Sequence, residues 1–153
     1  MAIEIEKKFL IVDDSFKKLS HNSTKITQGY IFSSKNKVLR VRLTPDTSKI
    51  AIKSGNDIIR KEYEYIIPHE DAKEMLFLCK NYLIHKTRYF VDFKGFTWEI
   101  DVFENDNKGL IVAEIELKSK DQDFEKPNWI GDEVSYDKRY YNHYLSKKPF
   151  KLW

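Results

Sequence analysis

The amino-acid sequence predicts a mainly β (α+β) fold, in which eight antiparallel strands close into a barrel with a few flanking helices. Three observations predict it. Apolar and charged residues alternate with a period of two along eight segments, turn residues separate those segments, and most of the segments carry one nearly pure Arg/Lys and Glu/Asp face.

The strands are expected near 2–11, 24–32, 37–44, 48–53, 58–67, 83–93, 96–103 and 110–119. Side chains two apart on a strand share a face. In the first segment Ile3, Ile5 and Phe9 fall on one side, and Glu4, Glu6 and Lys8 on the other. Arg40 and Arg42 alternate with Leu39, Val41 and Leu43, and Lys53 ends the run Ile50-Ala51-Ile52-Lys53. Arg60, Glu62 and Glu64 oppose Ile59, Tyr63 and Tyr65, while Lys86 and Arg88 form a further pair. Glu99 and Asp101 alternate with Trp98, Ile100 and Val102, and Glu114, Glu116 and Lys118 with Ala113, Ile115 and Leu117. Hairpin-turn chemistry marks Ser33-Ser34-Lys35-Asn36, Thr44-Pro45-Asp46, Ser54-Gly55-Asn56-Asp57 and Lys94-Gly95. Short helices are expected at 13–20, 69–81 and 137–146, the second entered through Pro68 with acidic residues in its first turn. The tail 147–153 reads as a surface segment.

A length of 153 residues, 41% hydrophobic and 14% aromatic, suits one compact domain over 1–153, burying roughly 70% of its unfolded surface. The 27 Lys+Arg against 24 Asp+Glu leave a net charge of only +3, too small to argue for nucleic acid. No apolar run approaches the roughly 18 residues of a membrane span, and MAIEIEKKFL lacks a signal-peptide core, so a cytoplasmic protein is expected. Cys79, the only cysteine, reads as a buried structural thiol. The four histidines show no zinc-site spacing, and the five glycines are isolated, which excludes a P-loop or dinucleotide fingerprint. No Gly-x-Ser-x-Gly elbow is present.

The shared face collects Glu4, Glu6, Glu62, Glu64, Glu99, Asp101, Glu114 and Glu116 with Lys8, Arg40, Arg42, Lys53, Arg60, Lys86, Arg88 and Lys118. One such strand is equally consistent with a solvated sheet face. Recurrence in strand after strand favours closure, with the charges lining a lumen wide enough for one small ligand. Clustered Arg and Lys suit a polyanion. Carboxylates would repel that anion, so their natural role beside it is to hold hard divalent cations.

These residues carry a resemblance. Glu4-Ile5-Glu6-Lys7-Lys8 is an ExExK signature, followed in order by Gln28-Gly29-Tyr30, Arg40-Val41-Arg42, Ile52-Lys53, Arg60-Lys61-Glu62-Tyr63-Glu64, Lys86-Thr87-Arg88, the run Trp98 to Phe103, the run Gly109 to Glu116, and Tyr140-Tyr141-Asn142. Together they resemble the CYTH superfamily, the triphosphate tunnel metalloenzymes. The resemblance implies an eight-stranded tunnel that hydrolyses inorganic triphosphate with Mg²⁺ or Mn²⁺. It implies metal ligation by Glu4, Glu6 and Glu116, with Glu62, Glu64, Asp101 and Glu114 supporting or completing a second site. Lys8, Arg40, Arg42, Lys53, Lys86 and Arg88 match the substrate-binding cations, and Lys86 and Tyr30 match positions near the attacking water. Arg60, Glu99 and Lys118 read as internal salt-bridge partners. The implied partner is a small-molecule triphosphate; no membrane is expected, nucleic acid is not favoured, and a homodimer stays open. Rival readings are a class IV adenylyl cyclase or a thiamine or nucleoside triphosphatase, and, from another class, a non-catalytic polyphosphate- or RNA-triphosphate-binding module.

Overall fold

The computed structural model describes residues 2–153. Its strands are β1 (Ile3–Ile11), β2 (Asn22–Ser33), β3 (Lys37–Leu43), β4 (Ser48–Asn56), β5 (Ile59–Ile67), β6 (Ile84–Phe93), β7 (Phe96–Phe103), β8 (Ile111–Leu117) and β9 (Ile130–Glu133). Its α-helices are α1 (Phe16–Leu19), α2 (His69–Phe77) and α3 (Asn142–Leu145). All eight expected strands are present. The ninth, β9, is a four-residue strand that the alternation in 130–133 is too short to announce.

The strands run in the order β5-β4-β3-β2-β6-β7-β8-β1-β9, and a further pairing of β5 with β1 closes eight of them into a ring. Closure happens because β1 is shared lengthwise: Ile3 to Ile5 pair with β5, and Phe9 and Ile11 pair with β9 along the same edge. The other edge of β1 pairs with β8 from Ile5↔Leu117 to Phe9↔Ala113. All these pairings are antiparallel, which leaves the edges of the ring satisfied.

Charges face inward, so the main apolar core lies outside the barrel wall. Phe9, Trp98, Ile100, Ala113 and Ile115 are essentially inaccessible on the outer face of β1, β7 and β8. Phe16 from α1, Phe124 and Trp129 cover them, with Phe9 and Trp98 ring centroids 5.6 Å apart and Trp98 and Trp129 5.9 Å apart, edge to face. Cutting Phe9 or Trp98 to alanine there costs about 3–5 kcal/mol. A second core, with Tyr30, Val38, Ile84, Phe103 and Leu145, plugs one end of the ring under α3.

Two expectations about helices change. The run expected at 69–81 stops at Phe77, and Cys79, half-buried rather than buried, lies beyond it. Gly29 on β2 lets that turn approach: a Cβ there would lie 2.6 Å from Cys79 Sγ. The segment 137–146 splits into a 3₁₀ turn at Lys138–Tyr140 and the short α3. The tail is not merely a surface segment, because Phe150 packs on the second core and its backbone N–H donates to Asn107 Oδ1 at 2.8 Å. The hairpin between β6 and β7 is a two-residue turn, with Lys94 at φ 48° and Gly95 at φ 85°, the double left-handed geometry that favours glycine. No helix is long and apolar enough to cross a membrane among the described residues.

Candidate active site

The ring encloses a cavity of about 340 Å³. Its carboxylates come mainly from β1, β5, β7 and β8, and its cations mainly from β3, β4 and β6. The register sets this out: Glu6 stands opposite Glu116, Lys8 opposite Glu114, Glu99 opposite Glu114, and Arg40 opposite Tyr30. Of the residues singled out from sequence, Glu4, Glu6, Lys8, Tyr30, Arg40, Arg42, Lys53, Glu62, Glu64, Lys86, Arg88, Glu114 and Glu116 all line this cavity. Asp101 does not.

Asp101 lies beneath the cavity wall with its side chain inaccessible. It accepts from Lys86 Nζ at 2.8 Å, Arg88 Nε at 2.7 Å and Arg88 Nη2 at 2.9 Å. Burial would raise its carboxyl, but Arg88 and Lys86 outweigh burial and hold it well below the usual range. Three of the roughly four acceptor positions of the Asp101 carboxylate are thus taken by two cations, and in this arrangement Asp101 stands in the wall as their counter-ion, off the cavity lining.

Lys86 is held between Asp101 and Asn142, whose Oδ1 accepts at 2.9 Å, and it lies 5.5 Å from the Phe103 ring centre. Burial pushes its ammonium down, and Arg88 and Arg42 add to the effect, to about 7 against the pull of Asp101. Lys8 bridges Glu6 at 3.3 Å and Glu114 at 3.4 Å. Burial opposes the charge on Lys8, but Glu114 and Glu6 outweigh it and hold the ammonium above its ordinary value. Glu114 is pushed up to about 7 by burial and by Glu6, against Lys8 and Arg88. Lys53 joins Glu4 at 3.0 Å and Glu62 at 3.3 Å, and Arg40 joins Glu64 at 2.8 Å.

Three lumen groups stand outside these pairs. Arg42 has no carboxylate within 4 Å among the described residues; its Nε donates to Gln28 Oε1 at 2.9 Å. Burial, with Arg40 and Arg88 nearby, pulls Arg42 down to about 10, which still leaves it charged at neutral pH. Arg60 likewise has no ion pair among the described residues, and its Nε is a buried donor without a partner. The expected salt-bridge role for Arg60 is therefore not what the structure shows. Glu99 does fill such a role, 3.0 Å from Arg88, whereas Lys118 stands off the main cavity, beside a surface pocket, without an ion pair among the described residues. The third group is Glu116, on the cavity lining but largely exposed, with no cation within 4 Å among the described residues. The partial burial of its carboxyl, then Glu4, Glu99 and Glu62, push it up.

The cavity also holds residues to which the sequence assigned no role, although Gln28, Tyr141 and Asn142 fall within its recognised motifs. Thr24 and Gln28 share the inward parity of Tyr30, and Lys49 that of Lys53, so alternation could have found them. Tyr141, Asn142 and His143 enter from the α3 segment, where no periodicity signals a position inside a barrel. Burial, with Arg60 and Lys147 nearby, lowers the His143 imidazolium to about 4, so His143 is neutral at pH 7.

The carboxylate set fits a hard divalent ion by its chemistry: oxygen donors sit on adjacent strands, one of them lacks a cation, and they raise one another's proton affinity. As they stand, no three converge on one point among the described residues. Lys53 lies between Glu4 and Glu62, and Lys8 between Glu6 and Glu114.

Comparison with known proteins matches residues 2–143 to the CYTH domain. The chain is 46% identical over 153 residues to a protein of Acetivibrio thermocellus named inorganic triphosphatase, covering 99% of this chain and 97% of that one. It is 32% identical over 147 residues to an inorganic triphosphatase of Nitrosomonas europaea, covering 94% and 96%. The crystal structure of an inorganic triphosphatase superposes with a TM-score of 0.67 at 31% identity, covering 95% of each chain.

Proposed function

The chain belongs to the CYTH domain family, and on that premise we propose that it hydrolyses inorganic triphosphate to pyrophosphate and phosphate inside the barrel, with a divalent cation, Mg²⁺ or Mn²⁺. The observation that carries the reading is the pairing state of the lumen. Arg42 and Arg60 are cations without carboxylates, and Glu116 is a carboxylate without a cation. An anion and a metal ion entering together each find a free opposite charge.

Binding then proceeds as an exchange of partners. Triphosphate oxygens take over the guanidinium and ammonium groups of Arg40, Arg42, Lys53, Arg88 and Lys8, for which Arg forks offer bidentate contacts. The carboxylates so released, Glu4 and Glu6 with Glu116, are free to hold the metal, with Glu62, Glu64 and Glu114 around them. Most buried charges keep an opposite charge through the exchange, and the exceptions, Arg42 and Arg60, gain theirs when the anion binds. When bound, a divalent ion supplies charge neutralisation to phosphate oxygens and lowers the proton affinity of water. The protein's cations stabilise the charge that develops on the terminal phosphoryl group, because they are fixed before reaction begins. On this reading Lys86, poised near neutrality in its proton affinity and lining the cavity, accepts a proton from the attacking water, and Tyr30, on the same lining, hydrogen-bonds to the substrate or that water. A cytoplasmic setting is part of the same reading.

The test is phosphate release from triphosphate, ATP and pyrophosphate in parallel, with Mg²⁺, with Mn²⁺ and with a chelator. Triphosphate should be turned over fastest, and only with metal; Glu116→Gln should abolish turnover in a protein that still melts as wild type. Full turnover in chelated buffer would remove the metal from the reading, and preference for ATP would move the assignment to a nucleotide enzyme.

A further inference from the structure

Among the described residues, Gln28 is the only amide side chain that reaches both an unpaired lumen guanidinium and a lumen hydroxyl. It is 1% exposed. Its Oε1 accepts from Arg42 Nε at 2.9 Å, and its Nε2 donates to Tyr30 Oη at 2.9 Å. Arginine has donors only, so the amide oxygen must face Arg42 and the NH₂ must face Tyr30. The reverse orientation would set two donors against each other. With an N–H already aimed at its oxygen, the Tyr30 hydroxyl has its acceptor side occupied, and no protein group accepts its hydrogen among the described residues. That hydrogen is left to point into the cavity that Tyr30 lines.

We propose that Gln28 is a positioning residue for the reaction: it anchors the Arg42 guanidinium and fixes the polarity of Tyr30, so that Tyr30 acts on the triphosphate or its attacking water as a hydrogen-bond donor and not as a base. This rests on the triphosphatase reading above. The physical reason is preorganisation. A guanidinium without a carboxylate partner would otherwise wander among its rotamers, and a hydroxyl free to rotate would spend part of its time with its lone pairs toward an anion, where they repel.

The polarity is testable because glutamate is nearly isosteric with glutamine but only accepts. In Gln28→Glu the carboxylate still holds Arg42 but also accepts the Tyr30 hydrogen, turning it away from the lumen. Tyr30→Phe removes that donor outright, with an expected loss of about 10²-fold in kcat. Gln28→Glu should fall to the same kcat at saturating triphosphate and metal, and the double variant should fall no further. Its melting temperature should stay near wild type. A wild-type kcat for Gln28→Glu, or losses that multiply in the double variant, would overturn the proposal. The anchor is read without turnover. Gln28→Met, which makes neither bond, should reduce the rise in melting temperature caused by triphosphate with Mg²⁺ as much as Arg42→Ala does, again without adding to it. An undiminished rise in Gln28→Met would overturn that half. If wild type shows the thermal rise but releases no phosphate, the triphosphatase reading fails while the anchoring is still judged by the shifts. Failure of Gln28→Glu or Gln28→Met to behave so, in a wild type that hydrolyses triphosphate, sinks the positioning role alone.

Discussion

Replacing Asp101 by asparagine should unfold the wall of the tunnel before it touches metal binding. Asp101 accepts three charge-assisted hydrogen bonds, one from Lys86 and two from Arg88, with its side chain fully inaccessible. Asparagine keeps one oxygen but turns an N–H₂ toward a cation, which leaves Lys86 with Asn142 as its remaining partner. Breaking a buried pair by removing one partner costs about 3–5 kcal/mol: Arg88 keeps its charge, and Lys86, without the pull of Asp101, must either hold a buried charge or give up its proton. For a chain of this length that corresponds to a fall of about 10 °C in melting temperature. Arg88 softens the loss through Glu99 at 3.0 Å. Adding Lys86→Met to Asp101→Asn should recover part of the stability, since the buried amine left with one partner is then gone. The assay is thermal unfolding followed by circular dichroism, with calorimetric titration of Mn²⁺ into the folded variant. A melting temperature near wild type together with lost Mn²⁺ binding would refute the reasoning and return Asp101 to the metal ligands.

Further outcomes follow from the same geometry. Lys86→Arg keeps the charge but cannot release a proton near neutrality, so turnover should drop by about 10²-fold or more while triphosphate affinity changes little; near-wild-type turnover would leave Lys86 a phosphate clamp only. Arg60→Ala should weaken triphosphate binding, measured as a smaller ligand-induced rise in melting temperature, without lowering the melting temperature of the free protein, because no carboxylate is orphaned. An unchanged rise would place Arg60 outside the binding path. His143 should make stability fall as the solution is acidified: its folded value of about 4 lies below the ordinary 6.5, so between those limits the unfolded chain binds a proton that the native protein does not. Stability is thus complete above 6.5 and lost toward 4, and His143→Phe should flatten that slope in denaturant titrations at several pH values.

The alternation of Glu4, Glu6 and Lys8 with Ile3, Ile5 and Phe9, repeated in the later strands, determined which residues line the tunnel, because side-chain direction in a strand is a local property of period two. The same rule already contained Thr24, Gln28 and Lys49, whose polar but less conspicuous side chains did not mark a charged face. What the sequence could not determine is pairing across the lumen. Asp101 and Glu99 lie two apart on one face of β7, yet one is inaccessible beneath Arg88 and the other lines the cavity, a difference made by the tilt and closure of the ring. Arg60 and Arg40 look alike in sequence, but among the described residues only Arg40 of the two meets a carboxylate. Asn142 and His143 enter the site because α3 folds over one end of the barrel, a contact between residues far apart in the chain that no local pattern encodes. Local periodicity chose the face; long-range packing decided which charges on it are spent on each other and which are left for a ligand.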